Sequence, residues 1–528
     1  MPQSSLLQLG KIVAKDMARG GPSPGLQDLG EALASRPDSV MDVLELLFAE
    51  VRKKRPNAGL ISAFLFMLRQ ALEATRWRNE NQPSAPNDLI DRVRASIALA
   101  AANDRLPPEL LLMLAQCFAA AKLDIGDELR NTIGASALHS PPGAKTVSGI
   151  GDFEAQLGKI AAGLDHDPFL IQTHMAESLA GFPVDRRIEM ISMLALSGVP
   201  SLREAALGWL LDPEITIANA VAGILAQIAG MGLVSAAGLN RMITIRNWVG
   251  AGRRPAVDAA IRAARQHDGA AAPLPSVQVG DILASSCDGA GAQSYFVLSK
   301  QKRKISVASL LIKHGFGIRD AWVGHGKSRG EVAEMVNHIH SEVGGWNASL
   351  DGMQTALSHG LAINARTNEP IPFALLQFIE VTGLPPMTPA YLDPDQLIGR
   401  LLDEIPADNK NENAISRALA GSKRWLDEFV WLDSWFDDSE AASKAARREK
   451  TIKARTEAVL NSVVAERRKH WAELLAWNAL AARDDGDTGE WIGFTLVARE
   501  LLGDRPIREI PLAIAIARNS IAAIDSRL

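Results

Sequence analysis

Leu202-Arg-Glu-Ala-Ala-Leu-Gly-Trp-Leu-Leu-Asp-Pro-Glu-Ile-Thr-Ile-Ala-Asn-Ala-Val-Ala-Gly-Ile-Leu-Ala-Gln-Ile228 is the stretch whose reading decides the fold. Two apolar segments of helical length flank Asp212-Pro213, a turn-and-start signal for the second helix. From Ile215 to Asn240 there is no charged side chain, and a membrane span needs about 20 apolar residues. Yet Thr216, Asn219, Gln227 and Ser235 interrupt the run, and Gly230-Met231-Gly232 divides it into two shorter helices. Bases do not gather on one side of it, as an orientation signal requires. The stretch therefore reads as helices buried inside a helical stack, not as a membrane segment.

Working outward, helix-length segments begin near Pro168, Val184, Pro200, Glu214, Ser235 and Arg254. Taken in pairs they recur about every 32–35 residues, a spacing typical of helix pairs that must stack to bury their apolar faces. On this pattern, residues 152–267 resemble the HEAT-like helical-repeat proteins (α-solenoids). The likeness is one of architecture. It implies an extended binding surface and carries no site residue with it.

Residues 1–133 read as an N-terminal helical domain of hairpins. Ser39, with Asp42 three residues on, starts a helix through Val43, Leu44, Leu47 and Val51, and Lys53-Lys54-Arg55 suits its C-terminus. Pro107-Pro108 opens another through Leu110, Leu114 and Phe118. Ser140-Pro-Pro-Gly143 and Ser148-Gly-Ile-Gly151 make 134–151 a linker. After Asp268 the period changes. Val277–Ser285, Gln293–Ser299 and Lys304–Ile312 read as strands, with Lys300-Gln-Lys-Arg-Lys304 as a hairpin turn and a helix from about Arg329 to Val343. This small α/β module spans 275–345. Helices return over 346–528, including Ile415–Phe436, Ser439–Ala481, Trp491–Leu501 and Ile510–Ile524, as a C-terminal helical bundle. The expected fold is mainly α: helical hairpins, a short solenoid stack, an inserted α/β module and a terminal bundle.

Composition agrees with a soluble multidomain chain. At 528 residues it exceeds a single core. A net charge of −5 from 61 acids and 56 bases, with 47% hydrophobic and 22% charged residues, excludes a disordered chain and a basic coat. Two cysteines, Cys117 and Cys287, exclude a disulfide scaffold and a four-cysteine zinc site. Met1–Lys15 has no secretory pattern, so a cytoplasmic location is expected.

Three constellations could carry chemistry. Ala321-Trp-Val-Gly-His-Gly-Lys-Ser328 matches a loose phosphate-loop pattern, with Lys327 toward phosphate oxygens and Ser328 toward magnesium. No run of later strands can build the parallel sheet such a loop needs, so coincidence is expected. Five of the ten histidines, His314, His325, His338, His340 and His359, lie close in sequence, and Glu331, Glu334 and His338 share a helix face. His338 and His340 point to different sides, and no metal is expected. Cys287 follows a strand without a nucleophile-elbow pattern. No catalytic residue and no cofactor are assigned.

What remains is binding. Lys300, Lys302, Arg303 and Lys304, with Arg319 and Lys327 downstream, form a candidate contact for an acidic partner. No aromatic lies in the tip and the net charge opposes nucleic acid, so tight nucleic-acid binding is not expected. Six of eleven tryptophans fall between Trp425 and Trp491. Trp425, Trp431 and Trp435, at helical spacing with Phe429, fit a core, or alternatively a partner groove. The expected function is therefore a non-catalytic binding or scaffold protein with a protein partner. The alternatives are an enzyme with a phosphate or metal site in 287–340 and a nucleic-acid-associated protein using the basic hairpin. Oligomeric state is not legible.

Overall fold

The computed structural model describes residues 3–19, 39–81, 88–103, 106–138, 150–268, 277–302, 304–326, 345–485 and 489–526, with single positions between 330 and 338. The chain divides into two compact units, Met1–Ala206 and Leu207–Leu528.

The first unit is helical. Helices Gln3–Arg19, Ser39–Val51 and Ala58–Asn81 bury Leu6, Val13, Val43, Leu47, Phe64 and Leu68 in one core. That core continues through Asp88–Ala102, Pro108–Ala120 and Asp127–Leu138, reaching Ile133. Helix Asp127–Leu138 runs into the stretch expected as linker, and 139–149 lie outside the described residues. Helices Ile150–Gly163, Pro168–Leu179, Val184–Leu196 and Pro200–Ala206 follow. The start at Pro168 has a local cause. The Asp167 carboxylate accepts from the Phe169 and Leu170 amides, and proline at the first position needs no amide partner.

In the second unit a 3-10 turn, Leu207–Leu211, leads into helices Ile215–Gly230, Ala236–Trp248 and Arg254–Asp268. The charge-free run is thus two helices, broken at Gly232, whose φ is +71°. Ile217, Val221, Leu225 and Ile228 are buried while Gly223 and Gln227 face solvent, so the helix keeps a wet side. Among the described residues no helix is long and apolar enough to cross a membrane. These helices are tied onward by side chains. Arg241 makes a two-pronged ion pair with Glu380 at 2.7 and 2.9 Å, and the Trp248 indole donates to the Met387 carbonyl at 3.0 Å.

The expected strands form within a five-stranded antiparallel sheet in the order β4-β3-β2-β1-β5: β1 Gln278–Ala284, β2 Ala292–Gln301, β3 Lys304–Lys313, β4 Gly317–Gly326 and β5 Trp346–Asn347. Alternation sets its faces, with Gln293, Tyr295, Val297 and Ser299 buried on one side of β2 and Ser294, Phe296 and Leu298 half-buried on the other. Helices Leu350–Thr367 and Ala374–Thr382 pack on β3 and β4, so the layers that cover the sheet come from beyond residue 345.

The remaining helices are Pro394–Glu404, Glu412–Gly421, Glu440–Arg447, Ile452–Val459, Arg468–Ala482, Glu490–Leu502 and Pro511–Asp525. Ile415–Phe436 is not one helix. It breaks after Gly421 into a single turn, Trp425–Glu428, and a 3-10 turn, Val430–Ser434, separated by an extended Phe429. The expected Ser439–Ala481 helix is likewise divided, with a π-helical turn at Leu460–Val464. Apolar spacing alone suggested continuity, which the structure does not keep.

Candidate functional site

The phosphate-loop-like segment is β4. Ala321, Trp322, Val323, Gly324, His325 and Gly326 pair in antiparallel register with Leu310 through Ile305 of β3. Strand pairing replaces the loop, so the segment makes no phosphate cradle; Lys327 and Ser328 lie outside the described residues. The signal missed was Gly315 and Gly317, with φ of +92° and +87°, which close a hairpin between β3 and β4.

The candidate metal residues do not converge. His314 is buried at the β3–β4 turn, whereas His325 lies at the far end of the same hairpin, 2.9 Å from the Ser306 hydroxyl. Glu331, Glu334 and His338 are exposed, and His340 lies outside the described residues. Among the described residues no group of three or more His, Cys, Asp or Glu side chains could hold a metal ion.

Lys300, Lys302 and Lys304 are exposed at the β2–β3 tip, and Lys302 takes a left-handed φ of +54°. Arg303 and Lys327 lie outside the described residues. Arg319 sits at the opposite end of the sheet, ion-paired with Glu369 at 2.7 Å. Trp425 and Trp435 are buried and Trp431 half-buried. Trp425 packs edge-on to Phe494 at 4.9 Å, and Trp435 meets Trp431 and Trp471 at 5.4 and 5.8 Å. That is core packing.

Trp435 has a second task at Cys287. Its indole donates to the Cys287 carbonyl at 3.2 Å. The Asn478 amide clamps the same residue, accepting from its N–H at 2.8 Å and donating to its carbonyl at 3.2 Å. Gly289 lets this turn approach, because a Cβ there would lie 2.0 Å from the Ser434 carbonyl oxygen. Burial, then the Asp288 and Glu473 charges, pushes the Cys287 thiol well up, away from the thiolate a nucleophile needs.

The residues that do converge are ones the sequence had scattered. His314 stacks on Trp477 with ring centres 4.5 Å apart, and Trp477 meets His359 at 4.8 Å. His359 in turn lies under Tyr391 at 5.2 Å, and the Arg366 guanidinium covers the outer face of Tyr391 at 3.8 Å. A column of rings thus runs from an exposed arginine to the buried end of β3. The protons on it are assigned by neighbours. The Leu392 N–H donates to His359 Nδ1 at 3.1 Å, which keeps that nitrogen bare and places the neutral ring's proton on Nε2. His359 Nε2 stands 4.0 Å from Glu473 Oε1, and the Trp477 N–H points at the same carboxyl, so Glu473 faces both donors. Gln293 donates to the Ser285 carbonyl and so turns its oxygen toward His314 Nε2, 3.3 Å away. His314 Nδ1, His359 Nε2 and Trp477 Nε1 are all buried without a hydrogen-bond partner.

Burial, and then Arg366, lowers His359 to about 4. Burial, then the neighbouring histidines, holds His314 well below its ordinary value. Burial raises the Glu473 carboxyl, only partly offset by the Trp477 N–H. Neutral imidazoles beside a reluctant carboxylate, with orphaned polar atoms, mark a site candidate on physical grounds.

Four family models match the chain in succession. They are the uncharacterised protein y4lR N-terminal domain over 12–125, the Y4lR second domain over 183–268, a domain of unknown function (DUF7401) over 275–386, and the Y4lR C-terminal helical domain over 395–525. The similarity is to Y4lR. The uncharacterized protein y4lR of Sinorhizobium fredii (strain NBRC 101917 / NGR234) is 24% identical over 495 residues, which cover 91% of each chain. No solved structure matches. The DUF7401 match takes in the whole sheet with the two helices packed on it, and supplies Gln293, His314 and His359. Glu473 and Trp477 come from the match to the Y4lR C-terminal helical domain, so the ring centre is assembled from two family segments.

Proposed function

We propose that the chain is a non-catalytic binding protein that uses HEAT-like helical-repeat surfaces to hold a protein partner. The observation that carries this reading is the set of large apolar side chains left in solvent on the repeat helices. Leu170 and Leu196 stand out on the first unit, and Ile215 and Met231, the last at a helix cap, on the second. The strand pairing of Ala321–Gly326 and the inward Cys287 favour it over the enzyme alternative in 287–340. Both cysteines are free and buried, which suits a reducing, cytoplasmic setting.

Photo-crosslinking residues placed at 170, 196, 215 and 231 in cells test the reading, with exposed polar positions such as Lys423 as controls. Discrete protein adducts at the apolar positions and none at the controls are expected. Adducts at no repeat position overturn it.

A second reading rests on Lys302. Hairpin turns that need positive φ favour asparagine or glycine, and a lysine there costs on the order of 1 kcal/mol. Keeping a base at that position favours a weak, salt-sensitive contact with an acidic partner. Submicromolar nucleic-acid affinity at physiological salt, lost when Lys300, Lys302, Arg303 and Lys304 become alanine, would replace the first reading with the nucleic-acid alternative.

A further inference from the structure

We propose that the basic corner over residues 444–453 is a docking surface for an anionic lipid bilayer, on which the chain rests without crossing it.

The corner joins two helices of the second unit, Glu440–Arg447 and Ile452–Val459. Ala442, Ala446, Thr456 and Val459 are buried and seat those helices, while every residue from 447 to 453 is exposed. Five bases, Lys444, Arg447, Arg448, Lys450 and Lys453, stand there against one acid, Glu449. Among the described residues none of the five forms an ion pair, whereas the adjacent Arg455 is taken up by Asp525. Glu440 and Glu457 flank the corner one helical turn from Lys444 and Lys453, and neither closes an ion pair with them.

Local stability does not call for this pattern. Lys444 and Arg447 suit a helix C-terminus, but Lys450 and Lys453 bracket the N-terminus of the next helix, whose first turn holds no acid. Bases there oppose the positive end of the helix dipole and repel one another. Between them Ile452, 72% exposed, occupies the first position of that helix. A branched apolar side chain among unpaired bases matches a bilayer interface. Bases meet phosphate headgroups there, and an apolar side chain enters the acyl boundary.

Shape and chemistry select the occupant. Seven exposed residues in a row protrude, and so offer a peptide no groove. No aromatic in the corner can stack on a base. A duplex backbone meets the bases but leaves Ile452 in water. The net charge of −5 opposes any polyanion, yet charges farther than about 10 Å are screened at moderate salt, so the local excess of bases decides. This surface uses none of the repeat-helix positions proposed above, and either proposal can fail alone.

The test is sedimentation of the full chain with vesicles at about 0.1 M salt. Vesicles of phosphatidylcholine and phosphatidylglycerol in equal parts should carry the protein down, and phosphatidylcholine alone should not. Each base near an acidic surface contributes about fivefold, so Arg447→Gln, Arg448→Gln, Lys450→Gln and Lys453→Gln together should weaken partitioning by about 600-fold. Ile452→Ser should weaken it by about tenfold, as one apolar side chain leaves the interface. All five positions are exposed, so an unchanged urea midpoint is expected of these variants. Lys300→Gln, Lys302→Gln and Lys304→Gln, the hairpin control, should change nothing. No sedimentation with either vesicle overturns the proposal. Sedimentation that survives loss of the four bases, or that the hairpin control abolishes, overturns the placement. Sedimentation unaffected by Ile452→Ser overturns the lipid assignment, and tighter binding to duplex DNA than to vesicles assigns the corner to nucleic acid instead.

Discussion

Replacing Asn478 by alanine should loosen the second unit where the sheet meets the C-terminal helices. The side chain is fully buried and holds the Cys287 backbone from both sides. Removing it leaves the Cys287 N–H without an acceptor, at about 1–3 kcal/mol, while the Cys287 carbonyl keeps the Trp435 indole. The void left by the amide adds about 1 kcal/mol, for a total of about 2–4 kcal/mol. Urea unfolding followed by tryptophan fluorescence reads this unit selectively, because every tryptophan except Trp77 lies in Leu207–Leu528. Trp435→Phe alone should cost less, since Asn478 still serves the carbonyl. The double variant should cost more than the two singles together, because the carbonyl then loses both donors. A change below about 0.5 kcal/mol for Asn478→Ala, or strict additivity in the double variant, would refute the clamp.

Acid should weaken the same unit. His359 titrates near 6.5 when unfolded and about 4 when folded, so as pH falls the unfolded chain takes the proton first, and stability is lost from about pH 6.5 down to about pH 4, by about 3 kcal/mol from this ring. The raised Glu473 carboxyl acts in the opposite sense. His359→Gln, which still offers an oxygen to Leu392, should flatten the urea midpoint between pH 7.5 and 4.5, and an unchanged slope counts against a neutral buried imidazole. Both cysteines should resist a thiol reagent in the native state, since burial pushes Cys117 up to about 12 and Cys287 well up too; rapid stoichiometric labelling of either contradicts this. Lys302→Asn should stabilise by several tenths of a kcal/mol to about 1, by relieving the φ of +54°, and a loss of stability would show that the lysine side chain contributes more than its backbone costs. Amides of alternate residues along Ala321–Gly326, on the edge strand β4 paired with β3, should exchange slowly with solvent; fast exchange along the whole segment would return it to a loop.

Local patterning carried the helical part of the fold. Helix starts at Pro168, Val184, Pro200 and near Glu214, Ser235 and Arg254 were legible because caps, prolines and apolar period are properties of short segments. Three strands were legible for the same reason. β4 was not, since its glycines read as loop, and only pairing with β3 makes an extended Ala321–Gly326 favourable. The segment around Trp431 and Trp435 breaks where Trp435 bonds a distant carbonyl, that of Cys287, which no window of sequence contains. The ring centre lies wholly on that side of the line. His314 and His359 were read only as members of a sequence cluster of histidines, while Glu473 and Trp477 drew no notice. Each is ordinary in its own segment. Antiparallel pairing puts His314 at a hairpin end, the Leu392 amide fixes the His359 proton, and the Arg468–Ala482 helix brings Glu473 and Trp477 against both. Burial and proton placement are set by neighbours far along the chain, so only the tertiary structure could decide them.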